Sequence, residues 1–108
     1  MFSIDRYGKI IITVGDTATI KLHIQTADGK EYKLKDSDEV VFTAKKNINQ
    51  VEPSIQITAQ SGVIIFPPNW KAESGLYVYD IQLTNELGNV YTVAHGYMSV
   101  VGEVTVGE

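Results

Sequence analysis

Cysteine is absent from this 108-residue chain, and that absence removes disulfides, thiolate metal ligands and cysteine nucleophiles together. Histidine is nearly as scarce, with His23 and His95 the only two. Two imidazoles fall short of the ligand sets that zinc uses, and no carboxylate shares their local spacing. Neither stands in a recognisable triad, where a nucleophile needs a base and the base an orienting group. The chain is therefore read as a non-enzyme with no cofactor. An excess of positive charge is missing too. The net charge is −4, and the basic residues are scattered, so the counterion release that drives nucleic-acid binding has no patch to act from. No hydrophobic run approaches the roughly 20 residues of a membrane-spanning helix. Neither nucleic acid nor membrane is expected as a partner. Met1-Phe2-Ser3-Ile4-Asp5-Arg6 has no basic region leading into an apolar stretch, so no secretory signal is read there. The expectation is a soluble product of the cytoplasm.

What the chain does have is an ordinary globular composition, 44% hydrophobic and 20% charged. It is long enough to bury a core without staples, which become necessary below roughly 40 residues. One domain is expected over 1–108, with its core from about 9 to 105 and the residues from Gly102 onward frayed. The clearest segment is Ser74 to Thr84. Tyr77, Tyr79, Ile81 and Leu83 alternate onto one face there, as in a half-buried strand. Asp80 points the other way. An aspartate in mid-strand is disfavoured, which marks it as a contact for a partner or for a neighbouring strand.

Upstream, Lys9 to Val14 is a β-branched run ended by the turn pair Gly15-Asp16. Thr17 to Gln25 then alternates, with Ala18, Ile20, Leu22 and Ile24 inward. Asp28-Gly29 is a strong hairpin signal, and Glu31 to Leu34 is expected to return as a strand. Val40, Phe42 and Ala44 make another inward set. Ile55 and Ile57 alternate with polar partners, and Gln60-Ser61-Gly62 turns the chain into the continuous apolar run Val63 to Phe66, read as a strand buried on both sides or lying beneath a loop. Its inward member is taken as Ile65. Pro67-Pro68 ends that strand, since proline cannot donate to a ladder. A helical turn capped by Asn69 is expected to Glu73. Val90 to Val101 is the last strand, with Gly96 as a bulge or kink. Seven or eight short strands with regular turn signals predict an all-β antiparallel sandwich. Its core is expected to include Ile20, Leu22, Ile24, Phe42, Ile57, Ile65, Tyr77, Tyr79, Ile81, Leu83 and Val100.

Few residues suggest chemistry. Asp36-Ser37-Asp38-Glu39 carries enough oxygen for calcium, yet aspartates accepting backbone N–H bonds in a turn account for the same residues. Trp70, Tyr91 and Tyr97 suit a sugar platform if exposed, whereas a tryptophan after Pro67-Pro68-Asn69 also suits a plug at one end of the sandwich. Lys30, Lys33, Lys35, Lys45 and Lys46 read as a solvated strand edge that discourages edge-to-edge pairing.

The Gly75-x-Tyr77 spacing resembles the corner of immunoglobulin-like sandwiches, where a tyrosine hydroxyl ties the start of a strand to upstream backbone. A wider pattern joins it, formed in order by Val14-Gly15-Asp16-Thr17, Ile20-Lys21-Leu22, Asp28-Gly29, Tyr32 to Leu34, Gly75 to Leu83, Gly88 to Thr92, Gly96 and Val104-Thr105. Together these segments resemble the immunoglobulin-like N-terminal domain of siphophage baseplate upper proteins and related small phage tail proteins of Gram-positive hosts. The resemblance implies an immunoglobulin-like fold and a structural adaptor of the virion, made in the bacterial cytoplasm, that docks on other tail or baseplate proteins. No heptads follow Val101, so a helical stalk is not implied. A carbohydrate-binding or adhesive module is the alternative. For docking, the terminal strands Lys9 to Val14 and Tyr97 to Val101 are the first expectation and the Asp80 face the second. Trp70 and Tyr97 are further surface candidates, and weak homo-oligomerisation is allowed.

Overall fold

The computed structural model describes residues 8–25, 28–67 and 70–102, together with the backbone of 2–4. Among the described residues there are eight strands: β1 (Phe2–Ile4), β2 (Ile10–Thr13), β3 (Ala18–Lys21), β4 (Glu39–Lys45), β5 (Ile55–Thr58), β6 (Val63–Phe66), β7 (Gly75–Thr84) and β8 (Val90–Val101). No helix occurs among the described residues. The strands form a six-stranded sheet in the order β1-β2-β8-β7-β4-β5 and a two-stranded sheet of β3 and β6. All neighbours are antiparallel except β2 and β8, which run parallel with Ile10 opposite Met98 and Thr13 opposite Val101. The expectation of an antiparallel arrangement throughout is corrected at that pair. It is non-local, joining segments from opposite ends of the described chain, so no turn or spacing near either strand encodes it.

Period-two alternation sends one face of each strand into a common core. Tyr77, Tyr79, Ile81 and Leu83 of β7, Val40, Phe42 and Ala44 of β4, Ile10 and Ile12 of β2, and Met98 and Val100 of β8 are all buried. A run of aromatic rings ties the sheets together. Phe42 stacks on Tyr79 at 5.4 Å between centroids, meets Phe66 of the small sheet edge-on at 5.5 Å, and Phe66 meets Trp70 at 5.4 Å. Offset and edge-on contacts of this kind favour the ring quadrupoles beyond the area they bury.

Several expectations fail for identifiable reasons. Ile65 is 46% exposed, while Ile64 and Phe66 are fully buried. An unbroken apolar run carries no parity, so the neighbouring elements decide which residues face in. Here Ala18 and Ile20 of β3 pair with Phe66 and Ile64, and all four face the large sheet as buried residues. The other face of the small sheet carries Thr19, Lys21 and Ile65, all exposed. Leu22 and Ile24 are only half-buried because β3 stops at Lys21. Ile57 is half-buried because β5 forms one margin of the large sheet. Gly29 does adopt φ +84°, yet no strand forms over Glu31 to Leu34; a single bridge joins Gln25 and Glu31, and Tyr32 N donates to Ile24 O.

The described part of the expected helical turn, Trp70 to Glu73, is not helical; Asn69 lies outside the described residues, as does the segment 103–108. The irregularity in β8 falls at Val93, where partners of Ile81 and Gln82 skip from Ala94 to Thr92, and not at Gly96. Glycine is required at 96 for another reason. A Cβ there would lie 2.9 Å from the Gly8 carbonyl oxygen and 3.2 Å from the Tyr79 ring. Tyr79 Oη donates to that same carbonyl, so the chain entering β2 is pressed onto the middle of the large sheet.

Candidate docking face

The outward face of the large sheet follows from the same alternation that builds the core. On β7 it carries Leu76, Val78, Asp80 and Gln82; register then sets Tyr97 beside Val78 and His95 beside Asp80 on β8. On β4, Lys45 lies beside Val78 and Thr43 beside Asp80, and Gln56 of β5 completes the row. Leu76 and Tyr97 are each 58% exposed. The connection from β4 to β5 raises Ile48 and Val51, the latter 91% exposed, along a groove that Val78 and Tyr97 also line. Large apolar side chains are thus gathered on one side of the sheet, with Lys45 and Asp80 the charges between them.

Of the sequence candidates, Asp80 and Tyr97 come together here, on adjacent strands. Trp70 does not. It is 8% exposed, and its Nε1 donates to the Asp16 carbonyl oxygen at 2.7 Å, so it closes the core between β2–β3 and the segment before β7. A buried indole whose only polar atom is satisfied by backbone offers no stacking face, and the surface role is corrected. The terminal strands offer no open edge, the ground on which they were expected to dock, although Tyr97 itself stands on this face. β2 lies between β1 and β8, and β8 between β2 and β7, so their ladder groups are already engaged. Of the lysine strip, Lys30, Lys33 and Lys35 sit in the irregular connection between β3 and β4, and Lys45 lies on an interior strand, so those residues line no strand edge.

Gly75 and Tyr77 sit at the start of β7. Tyr77 is buried, and its Oη donates to the Glu73 carbonyl oxygen at 2.6 Å. Lys46 braces the same corner, with Nζ 2.5 Å from Glu73 Oε2 and 5.8 Å from the centre of the Tyr77 ring. The ion pair raises the Lys46 pKa and lowers that of Glu73, while burial raises that of Tyr77. Glu73 is largely exposed and Lys46 partly so, and solvent screening leaves the pair worth little to stability.

A second polar knot lies at one end of the molecule. Asp38 Oδ2 accepts from Lys35 N at 3.0 Å and from Tyr32 Oη at 2.6 Å. Those bonds hold the Asp38 carboxyl below its ordinary pKa, the Lys35 amide being the larger cause, and the Asp38 bond raises the Tyr32 hydroxyl. This is the turn chemistry that competes with calcium for the same aspartate. Among the described residues no three His, Asp or Glu side chains gather as metal ligands. His23 and His95 are exposed. Tyr91, 53% exposed, lines a groove at this end with Tyr32 and Asp38.

Sequence reasoning singled out Asp80 but missed Leu76, Val78, Lys45, Ile48 and Val51. Alternation on β7 does signal Leu76 and Val78. Nothing local brings Lys45 or the β4–β5 connection to the same face, because that depends on β4 pairing with β7 across 30 or more intervening residues of chain. Comparison with known proteins returns no match among family models, curated proteins or solved structures.

Proposed function

We propose that this protein is a structural module of a phage virion, an adaptor that docks on a tail or baseplate component through the outer face of its large sheet. The observation that carries the docking half of this reading is the grouping of Leu76, Tyr97, Ile48 and Val51, all well exposed, around a face that no described segment covers. Monomeric proteins seldom leave such apolar groupings open unless something binds there. The phage half rests on the ordered sequence resemblance. An immunoglobulin-like fold belongs to the same proposal. The row β8-β7-β4-β5 opposite β3-β6 follows the G-F-C-C′ and B-E strand orders of that sandwich, and the Tyr77 bond occupies the place of its tyrosine corner.

The protein is to be co-expressed with the structural proteins encoded beside it and sought in purified particles, where it is expected at a fixed stoichiometry. The alternative reading, a carbohydrate-binding or adhesive module, is favoured by the exposed Tyr91 over the end groove. Absence from particles, together with glycan binding by the isolated protein that is lost in Tyr91→Ala, would transfer the assignment to it.

A further inference from the structure

We infer that in the free protein, before a tail component docks, the outer face is covered by a second copy of this chain, packed face to face about a two-fold axis. The inference rests on the docking reading above and says what covers that same face until docking displaces it. Its warrant is the placement of charge. Lys45 and Asp80 sit on adjacent strands one row apart, because Val78 is opposite Lys45 and Asp80 opposite Thr43. Neither side chain has a hydrogen-bond or ion-pair partner among the described residues. Both are half-buried, so each gains from an opposite charge brought to it.

The register makes this face self-complementary. With strands about 4.8 Å apart and outward residues about 6.8 Å apart along each strand, Lys45 and Asp80 are roughly 8 Å apart. A two-fold axis lying in the face, perpendicular to the line between them and through its midpoint, sets each Lys45 against Asp80 of the second copy. On that grid the axis passes within about 2 Å of Tyr97, Val78, Thr43 and Gln56. These residues then meet their own counterparts, tyrosine on tyrosine and valine on valine, with no charge facing its like. An isologous interface needs this property, since the same patch serves both sides.

The shared area is small. The two-fold that sets Lys45 against Asp80 crosses the strands of the two copies at roughly 70°, so only the part common to both faces overlaps, about 19 Å on a side for four strands, or roughly 400 Å² per copy. Two copies share about 800 Å², below the usual range of specific association, so the contact is a weak one. The dimer is reversible, forming in the micromolar to millimolar range expected of a modest interface without deep anchors.

Charge reversal tests the arrangement in sedimentation velocity from roughly 1 μM to 1 mM. The wild-type protein is expected to dimerise with rising concentration. Lys45→Asp and Asp80→Lys should each weaken association at least ~10-fold, because the reversal sets like charges opposite one another. The double variant, and a mixture of the two single variants, should associate again. Circular dichroism and thermal melts confirm that each variant is folded before it is weighed; for a variant that does not fold, Lys45→Glu and Asp80→Arg repeat the same reversal. A wild-type protein that stays monomeric at 1 mM, or single variants that fail to recover on mixing, overturns the dimer. If that monomeric protein is found in particles, the adaptor reading stands without the dimer. A charge-rescued dimer absent from particles keeps the dimer and removes the adaptor.

Discussion

Tyr77 is buried as a core ring and tied by its hydroxyl to the Glu73 carbonyl, so the corner and the core are one residue. Removing only the oxygen leaves the ring in place and orphans one carbonyl. Tyr77→Phe is therefore expected to cost about 1 kcal/mol, the usual net worth of one such bond, read as a lower urea midpoint at unchanged slope. An unchanged midpoint would make the hydroxyl incidental. Asp38 gives a pH prediction of definite sign. Its carboxyl is held below the ordinary value by the Lys35 amide and the Tyr32 hydroxyl. The stabilisation is thus fully present above the unfolded pKa of about 4 and is lost as pH falls through the lower folded pKa. The melting temperature of the wild type should fall more steeply than that of Asp38→Asn through this acid window, and parallel profiles would exclude the effect. The Gly75-x-Tyr77 spacing and the turn-forming aspartate were both readable in the sequence, since each acts within a few residues of itself. Trp70 was readable only as a choice between plug and platform. The Asp16 carbonyl that decides it lies 54 positions away.

Strands that alternate were legible as strands, and β7 and β4 show why. Each mixes apolar inward residues with polar or smaller outward ones, so the pattern itself names the buried face. β6 does not alternate, and its orientation comes from pairing with β3 and from Phe66 reaching Phe42 and Trp70. The two isoleucines of β6 are chemically identical and differ only in direction. Ile64→Ala should cost about 2–5 kcal/mol as a core truncation, whereas Ile65→Ala should stay within roughly 1 kcal/mol as a solvent-facing change in a strand. Equal losses in chemical denaturation would mean that the outer face of the small sheet is covered in solution. The segment from Leu22 to Asp38 was the least legible. Its alternation and its Asp28-Gly29 turn describe a hairpin, but the chain spends its hydrogen bonds on a single bridge and on the Tyr32–Asp38 knot.

For the molecule as a whole, an all-β arrangement of about eight strands followed from turn spacing and alternation. The order of strands did not, because it is set by long-range pairing. The docking face inherits that limit. Its self-complementarity exists only once β4, β7 and β8 stand side by side in register, and the charge-reversal series is a test of that register as much as of the dimer. The parallel pairing of β2 with β8 has a mechanical consequence. A load applied at the entry to β2 and at the exit from β8 pulls two parallel neighbours in opposite directions along their length. The ladder from Ile10–Met98 to Thr13–Val101, extended by Val14 N to Val101 O at 2.9 Å, is then sheared. Its bonds share the force and must break together, where an antiparallel hairpin pulled from its open end would unzip one bond at a time. Tension entering at one end of the fold is carried straight across a single seam to the other, and the rest of the sheet is spared until that seam gives way.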